Sequence, residues 1–184
     1  YEGDLKLAAQ LIDDAIRHAQ DATPAVVRDT HFVKAQFCIW TLETVEARDA
    51  LEAVVRFYAS SGLANTDQYV WQTLALLAST LITTGQFEQA REIAHRAWSA
   101  IEGFPSSPGM VAPLLALASA EAILGNHAAA DHWCQTLRQR HSDFLRSATG
   151  DRAPWSLTDS HPMLADIALA KGEFSEAIAL AASG

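Results

Sequence analysis

The sequence predicts an all-α fold, a right-handed solenoid of antiparallel helix pairs with a long repeat of about 40 residues. The first observation behind it is a recurring landmark: Gly3-Asp-Leu5, Gly85-Gln-Phe87, Gly125-Asn-His127 and Gly172-Glu-Phe174, with a degenerate copy at Val45-Glu-Ala47. The second is an alanine five residues after the start of each copy, at Ala8, Ala50, Ala90, Ala130 and Ala177, with successive spacings of 42, 40, 40 and 47 residues. The third is a change of pattern across each landmark, from a nearly continuous apolar helix before it to an amphipathic one after it.

The third unit shows the logic most clearly. In WQTLALLASTLITT, Trp71 to Thr84, Leu74, Leu77, Ala78 and Leu81 recur at helical spacing among other apolar or small residues, so this helix is buried on more than one side. Gly85 then supplies a turn, either because a Cβ would crowd two close helices or because φ must be positive. Phe87, Ala90, Ala94 and Ala97 restart an apolar stripe, with Glu88, Arg91, Glu92 and Arg96 opposite it. Glu92 with Arg96, Glu52 with Arg56, and Asp13 with Arg17 are four apart in the favourable order and are read as a solvated outer surface.

In chain order, trailing helices are predicted near 4 to 20, 46 to 60, 86 to 102, 126 to 141 and 173 to 182. Leading helices are predicted near 31 to 44, 71 to 84, 111 to 124 and 160 to 171. Pro113 and Pro162 suit first turns, where a missing N–H costs little. Breakers separate the units around Pro24, around Gly62, from Gly103 to Gly109, and from Ser147 to Ser160, the longest connection. Residues 1–184 are read as one repeat domain cut from a longer chain, because Tyr1 is not a methionine and the end units are partial.

Composition narrows the function. With 13 basic against 22 acidic residues the net charge is −9, which argues against holding a phosphate backbone. No run of apolar residues is long enough to span a membrane, and no signal-peptide pattern is present. Cys38 and Cys134 fall in different units outside any zinc spacing and are read as packed, reduced thiols, which places the chain in the cytoplasm. His127, Asp131, His132 and Cys134 crowd one stretch, but His127 and His132 are five apart and do not share a helix face, so no metal is expected. No G-x-S-x-G, P-loop or HExxH occurs, and neither catalysis nor a cofactor is expected.

Leu74, Leu77, Ala78 and Leu81, with Gly85, Phe87, Ala90, Ala94 and Ala97, resemble the tetratricopeptide repeat. Leu114, Leu117, Ala118, Gly125, Ala130 and Leu137 repeat the match, while Glu121 departs where an aromatic is usual. The period is longer than the family's 34 residues. Longer units of this kind resemble the repeat region of bacterial transcription regulators of the MalT type, which carry a LuxR-type DNA-binding domain. That resemblance implies a non-enzymatic sensor module receiving a protein or small effector; a structural or assembly scaffold is the alternative.

The resemblance also implies an inner face built from leading helices. Register then gives Phe32, Ala35, Ile39 and Leu42, then Gln72, Ala75, Ser79 and Ile82, then Ala112, Leu115, Ser119 and Ala122. Phe32, Ile39, Gln72, Ser79, Leu115 and Ser119 are the contact candidates, on an apolar, nearly uncharged surface that fits a protein segment, a small effector or a second copy. The lysine and asparagine set with which chaperone-binding members clamp a carboxylate is missing. Trp40, Trp71, Trp98 and Trp133 are expected to pack between units, and Trp155 with Arg152 in the long connection is a second candidate contact.

Overall fold

The structure, a computed structural model, describes residues 2–19, 21–61, 68–147 and 160–183. Nine α-helices and one short 3₁₀ turn occur among them, with no strand. They are α1 (Glu2–Ala19), α2 (Pro24–Trp40), α3 (Thr44–Ser61), α4 (Gln68–Thr83), α5 (Phe87–Ser99), α6 (Val111–Ile123), α7 (His127–Ser147), α8 (His161–Ala170) and α9 (Phe174–Ala181). Leading helices α2, α4, α6 and α8 pair with trailing helices α3, α5, α7 and α9, and α1, α3 and α5 pack against the next leading helix. Leading helices also stack on one another, α4 on α6 and α6 on α8. No described helix is long and apolar enough to cross a membrane.

Burial follows this stacking. Leu74, Leu77, Ala78 and Leu81 of α4, and Leu114, Leu117 and Ala118 of α6, are essentially inaccessible, as are Ala90, Ala94 and Ala97 of α5. Every residue of α6 from Pro113 to Ala122 is buried, because neighbours cover it on both sides and α7 covers its back. Small side chains are what permit that approach, since a ridge of alanines lets helix axes come close.

The turn between the helices of a pair has one physical cause. Gly85, Gly125 and Gly172 have φ near +80°, at 78°, 81° and 80°. A Cβ on any of them would meet nothing within 4 Å, so the requirement is backbone conformation and not crowding. The amide three places beyond the helix then closes back on it: Gln86 donates to the Leu81 carbonyl at 2.9 Å, Asn126 to Glu121 at 2.8 Å and Glu173 to Ala168 at 2.8 Å.

The second unit corrects the sequence register. Its left-handed residue is Leu42, at φ 62°, and Glu43 donates to the Cys38 carbonyl at 2.8 Å as its counterparts do. The matching alanine is therefore Ala47, fully buried, and not Ala50; the turn is Leu42-Glu43, and not Val45-Glu-Ala47. Leu42 has left the leading helix and is 82% exposed, so it is no part of an inner face. Helix α2 also starts earlier than expected, because Pro24 opens it at its first turn and nothing between Ala25 and Thr30 interrupts it. Gly3 lies inside α1 and makes no turn there.

Helix α7 runs past 141 to Ser147. Phe144 packs against the core, Gln139 bonds Asp143 at 2.8 Å, and Arg146 pairs with Asp143, contacts that hold the added turns in place. Of the three ion pairs expected along helices, Arg56 with Glu52 forms at 3.5 Å. Arg17 pairs with Asp14 instead of Asp13, which reaches across to Lys34 of α2 at 3.0 Å, and none forms between Glu92 and Arg96 among the described residues.

Candidate functional site: an uncharged groove across the leading helices

The leading helices present their faces side by side and leave a groove of about 520 Å³. Phe32 and Gln36 come from α2, Trp71, Gln72, Ala75 and Leu76 from α4, Val111, Ala112 and Leu115 from α6, and Met163 from α8. Pro108, Gly109 and Ser160 close its rim. Among the described residues no charged side chain lines it. The amides of Gln36 and Gln72 and the Ser160 hydroxyl are its polar groups, each able to donate and accept. A second cleft of about 460 Å³ shares Trp71, Gln72, Pro108 and Gly109 and continues toward Ile101 and Phe104, so the two form one trough with Trp71 between them.

Gly109 is needed here for space. A Cβ on it would collide with the Trp71 ring, with Cζ3 and Cζ2 at 3.2 and 3.3 Å beside the nearest atom. The connection that carries Pro108 and Gly109 is held by Arg140 of α7, whose guanidinium donates to the Phe104 carbonyl at 3.2 Å and lies 5.2 Å from the Trp98 ring centre. A cation over an aromatic face and a carbonyl at its edge fix the groove wall.

Three of the six inner-face candidates, Phe32, Gln72 and Leu115, line this groove. Ile39, Ser79 and Ser119 do not. Ile39 and Ser79 each stand seven residues beyond a groove residue on the same helix, as Ser119 does beyond Ala112, a displacement of roughly 10 Å toward the glycine turns. Ile39 packs on the core, the Ser79 hydroxyl donates to the Ala75 carbonyl at 3.1 Å, and Ser119 is buried. Arg152 and Trp155 lie outside the described residues. The tryptophans divide: Trp98 is buried and Trp133 meets it edge to face at 6.3 Å, Trp71 lines the groove, and Trp40, expected to pack, is 88% exposed at the end of α2. Sequence reasoning missed Trp71, Gln36 and the Pro108-Gly109 wall as groove residues. Their signal was an uncharged α4 face and, after α5, a breaker rich in glycine and proline.

Glu121, the residue that departs from the aromatic pattern, is buried between units. Its carboxylate accepts from the Asn126 amide at 2.7 Å and stands 3.8 Å from Arg91 and 4.0 Å from His95. It ties α5 to α6 and to the following turn, a polar substitute for ring packing.

The stretch His127 to Cys134 assembles no site. Asp131 and Glu173 both bind Lys171, the latter at 2.8 Å, and Glu176 stands 3.7 Å from Arg138. Burial pulls the Lys171 ammonium down, but its hydrogen bonds to Asp131 and Glu173 outweigh this and raise it above its ordinary value. Cys134 is buried in the same small cleft of about 160 Å³, and burial pushes its thiol up. No three His, Cys, Asp or Glu side chains gather closely enough to hold a metal among the described residues. Cys38 is likewise buried and free, its thiol pushed up to about 11 by burial and by Glu43.

Stacked helix pairs closed by left-handed turns, with a groove across the leading helices, define the class: the chain has the fold of a tetratricopeptide-like α-solenoid. Among solved structures it is similar to BtubC (BKLC) from P. vanneervenii, with a TM-score of 0.70 at 20% identity, covering 97% of this chain and 71% of that one. It is also similar to the TPR-like repeats of a proposed kinesin light chain from Podosopora anserina, with a TM-score of 0.67 at 19% identity, covering 99% of this chain and 86% of that one. No family model and no curated protein matches the sequence.

Proposed function

We propose that the chain is a non-enzymatic protein-interaction module whose groove receives an apolar, uncharged segment of a partner protein. The observation that carries this is the groove itself, about 520 Å³ in extent with no charged side chain among the described residues that line it. A charged side chain entering it would lose its hydration without gaining a partner, so charge is selected against. Gln36 and Gln72 can each donate to a carbonyl and accept from an amide, which suits the backbone of an extended peptide. The continuation past Trp71 makes the trough long and open, which favours a peptide over a compact effector.

The finer reading, a sensor segment of a cytoplasmic bacterial regulator, is supported by the repeat period near 40 residues. It requires a helix-turn-helix domain in the full-length polypeptide, and a full-length sequence without one removes it. The scaffold reading is supported by the fold shared with kinesin-light-chain-like repeats.

Selection of a displayed random-peptide library tests the groove. Peptides enriched on the wild-type chain should be apolar and uncharged, bind with little dependence on salt, and be lost on Gln72→Glu and Ala112→Glu. Enrichment of acidic or basic peptides, or equal enrichment on both variants, would refute this reading.

A further inference from the structure

The groove across the leading helices is walled by backbone whose hydrogen bonds are already made. Residues of α2, α4, α6 and α8 line it, and the amides and carbonyls of those helices close on one another within each helix. No strand occurs among the described residues, so an occupant gains no hydrogen bonds by adding to a sheet edge. The side-chain acceptors along the groove are the oxygens of Gln36, Gln72 and Ser160. An ordinary extended peptide carries one N–H per residue, and each N–H buried there without an acceptor weakens binding. Carbonyls fare better, because both glutamine amides donate. The wall therefore favours a chain poor in N–H groups and rich in free carbonyls. Proline has that character, since it lacks the N–H and keeps the carbonyl.

Trp71 provides a second, independent observation. A Cβ at Gly109 would meet Cη2 of its ring first, with Cζ3 and Cζ2 behind it at nearly equal distances of 3.2 and 3.3 Å. A point so placed lies beyond the tip of the ring and close to its plane. Gly109 thus abuts the indole at its edge and not on a face, while Trp71 lines both hollows of the trough, of about 520 and 460 Å³. Among the described residues neither hollow is lined by a charged side chain. An indole face is a wide apolar surface on which a pyrrolidine ring packs, as in other aromatic-lined grooves that take proline-rich chains.

On the footing that this groove receives an uncharged segment of a partner protein, we propose that the segment is proline-rich and binds in the polyproline II conformation, with prolines three apart on the two sides of Trp71. Polyproline II turns once in three residues and rises about 3.1 Å per residue, so residues three apart share a face at roughly 9 Å, enough to straddle one ring. Its carbonyls make no internal hydrogen bonds and are available to the amides of Gln36 and Gln72. Such a segment is also ordered before it binds. Less conformational freedom is then lost on docking, which matters in a long, open trough with no charge to anchor a flexible chain.

Two measurements test it. Uncharged peptides enriched from the displayed random library should carry prolines three apart well above their frequency in the unselected library. Enrichment of uncharged peptides without that spacing would overturn the proposal and leave the groove as the peptide site, whereas failure to enrich uncharged peptides would remove both. Calorimetry then compares a capped peptide repeating proline, proline, leucine with the same peptide carrying alanine for every proline. The proline peptide should bind about tenfold or more tightly than the alanine one. Trp71→Leu should weaken its binding by about tenfold or more, and Trp71→Phe, which keeps two ring faces, by less, at unchanged helicity. Nuclear Overhauser contacts between the Trp71 indole and the pyrrolidine protons of the bound peptide, measured on the wild-type chain, decide the matter even if Trp71→Leu does not fold. Equal affinity for the two peptides, no binding of the proline peptide, or pyrrolidine contacts elsewhere on the chain would overturn the proposal.

Discussion

Exchanging residues at the left-handed turns should move stability in opposite directions at Leu42 and Gly85. Leu42 holds φ 62°, a conformation that costs an L-residue about 1–2 kcal/mol. Leu42→Gly removes that cost but gives back about 0.5–1 kcal/mol, because glycine has more freedom to lose on folding. The side chain is 82% exposed, so the burial forfeited is the remaining fraction of a leucine's worth, about 0.4 kcal/mol. Taken at their midpoints these leave a net gain of about 0.4 kcal/mol. In Gly85→Ala the signs reverse: the methyl meets nothing within 4 Å, so there is no packing term, and the left-handed strain at φ 78° less the unfolded-state gain leaves a loss of about 1 kcal/mol. Urea denaturation of both variants beside wild type measures the difference, with m unchanged if both act on the folded turn. A destabilised Leu42→Gly together with a neutral Gly85→Ala would refute the equivalence of the two turns, and with it the register that makes Ala47 the partner of Ala90.

Two further outcomes are expected. Ala90 and Ala130 are fully buried where trailing helices meet their neighbours, so Ala90→Leu and Ala130→Leu should each cost about 1–3 kcal/mol by overpacking; unchanged urea midpoints would contradict this packing. Cys38 keeps its proton in the folded state to about 11, against an ordinary value of 9.0, so a thiol reagent at pH 8 should label it far more slowly in the native chain than in urea. Because the folded value is the higher one, its contribution to stability is complete below pH 9 and fades as pH rises through 11, which denaturation across that range would detect.

The fold was largely legible because it rests on short-range constraints. A left-handed turn after an apolar helix favours glycine for a local reason, and Gly85, Gly125 and Gly172 announce it within a few residues. The alanines announce close helix approach in the same way, and Ala90, Ala130 and Ala177 are buried where the spacing put them. The one register error came where the local rule is broken: Leu42 takes the glycine conformation, held there by the same closing hydrogen bond, and no propensity argument would choose it.

The candidate site was half legible for a different reason. Periodicity says which residues share a face of a helix, and so it reached Phe32, Gln72 and Leu115; it does not say how far along that face neighbouring helices diverge to leave a groove. Ile39, Ser79 and Ser119 satisfy the same periodicity two turns further on, outside it. The wall made by Pro108 and Gly109 against Trp71 joins a loop to a helix far from it in sequence, a contact that exists only once α4, α6 and the connection before α6 have been stacked. The sequence by itself determined the repeat, the helix pairs and the uncharged character of the inner face, since these follow from residue type and spacing. The position of the groove and the buried Glu121 link between units were decided by tertiary structure, because each depends on which surfaces the stacking of units brings together.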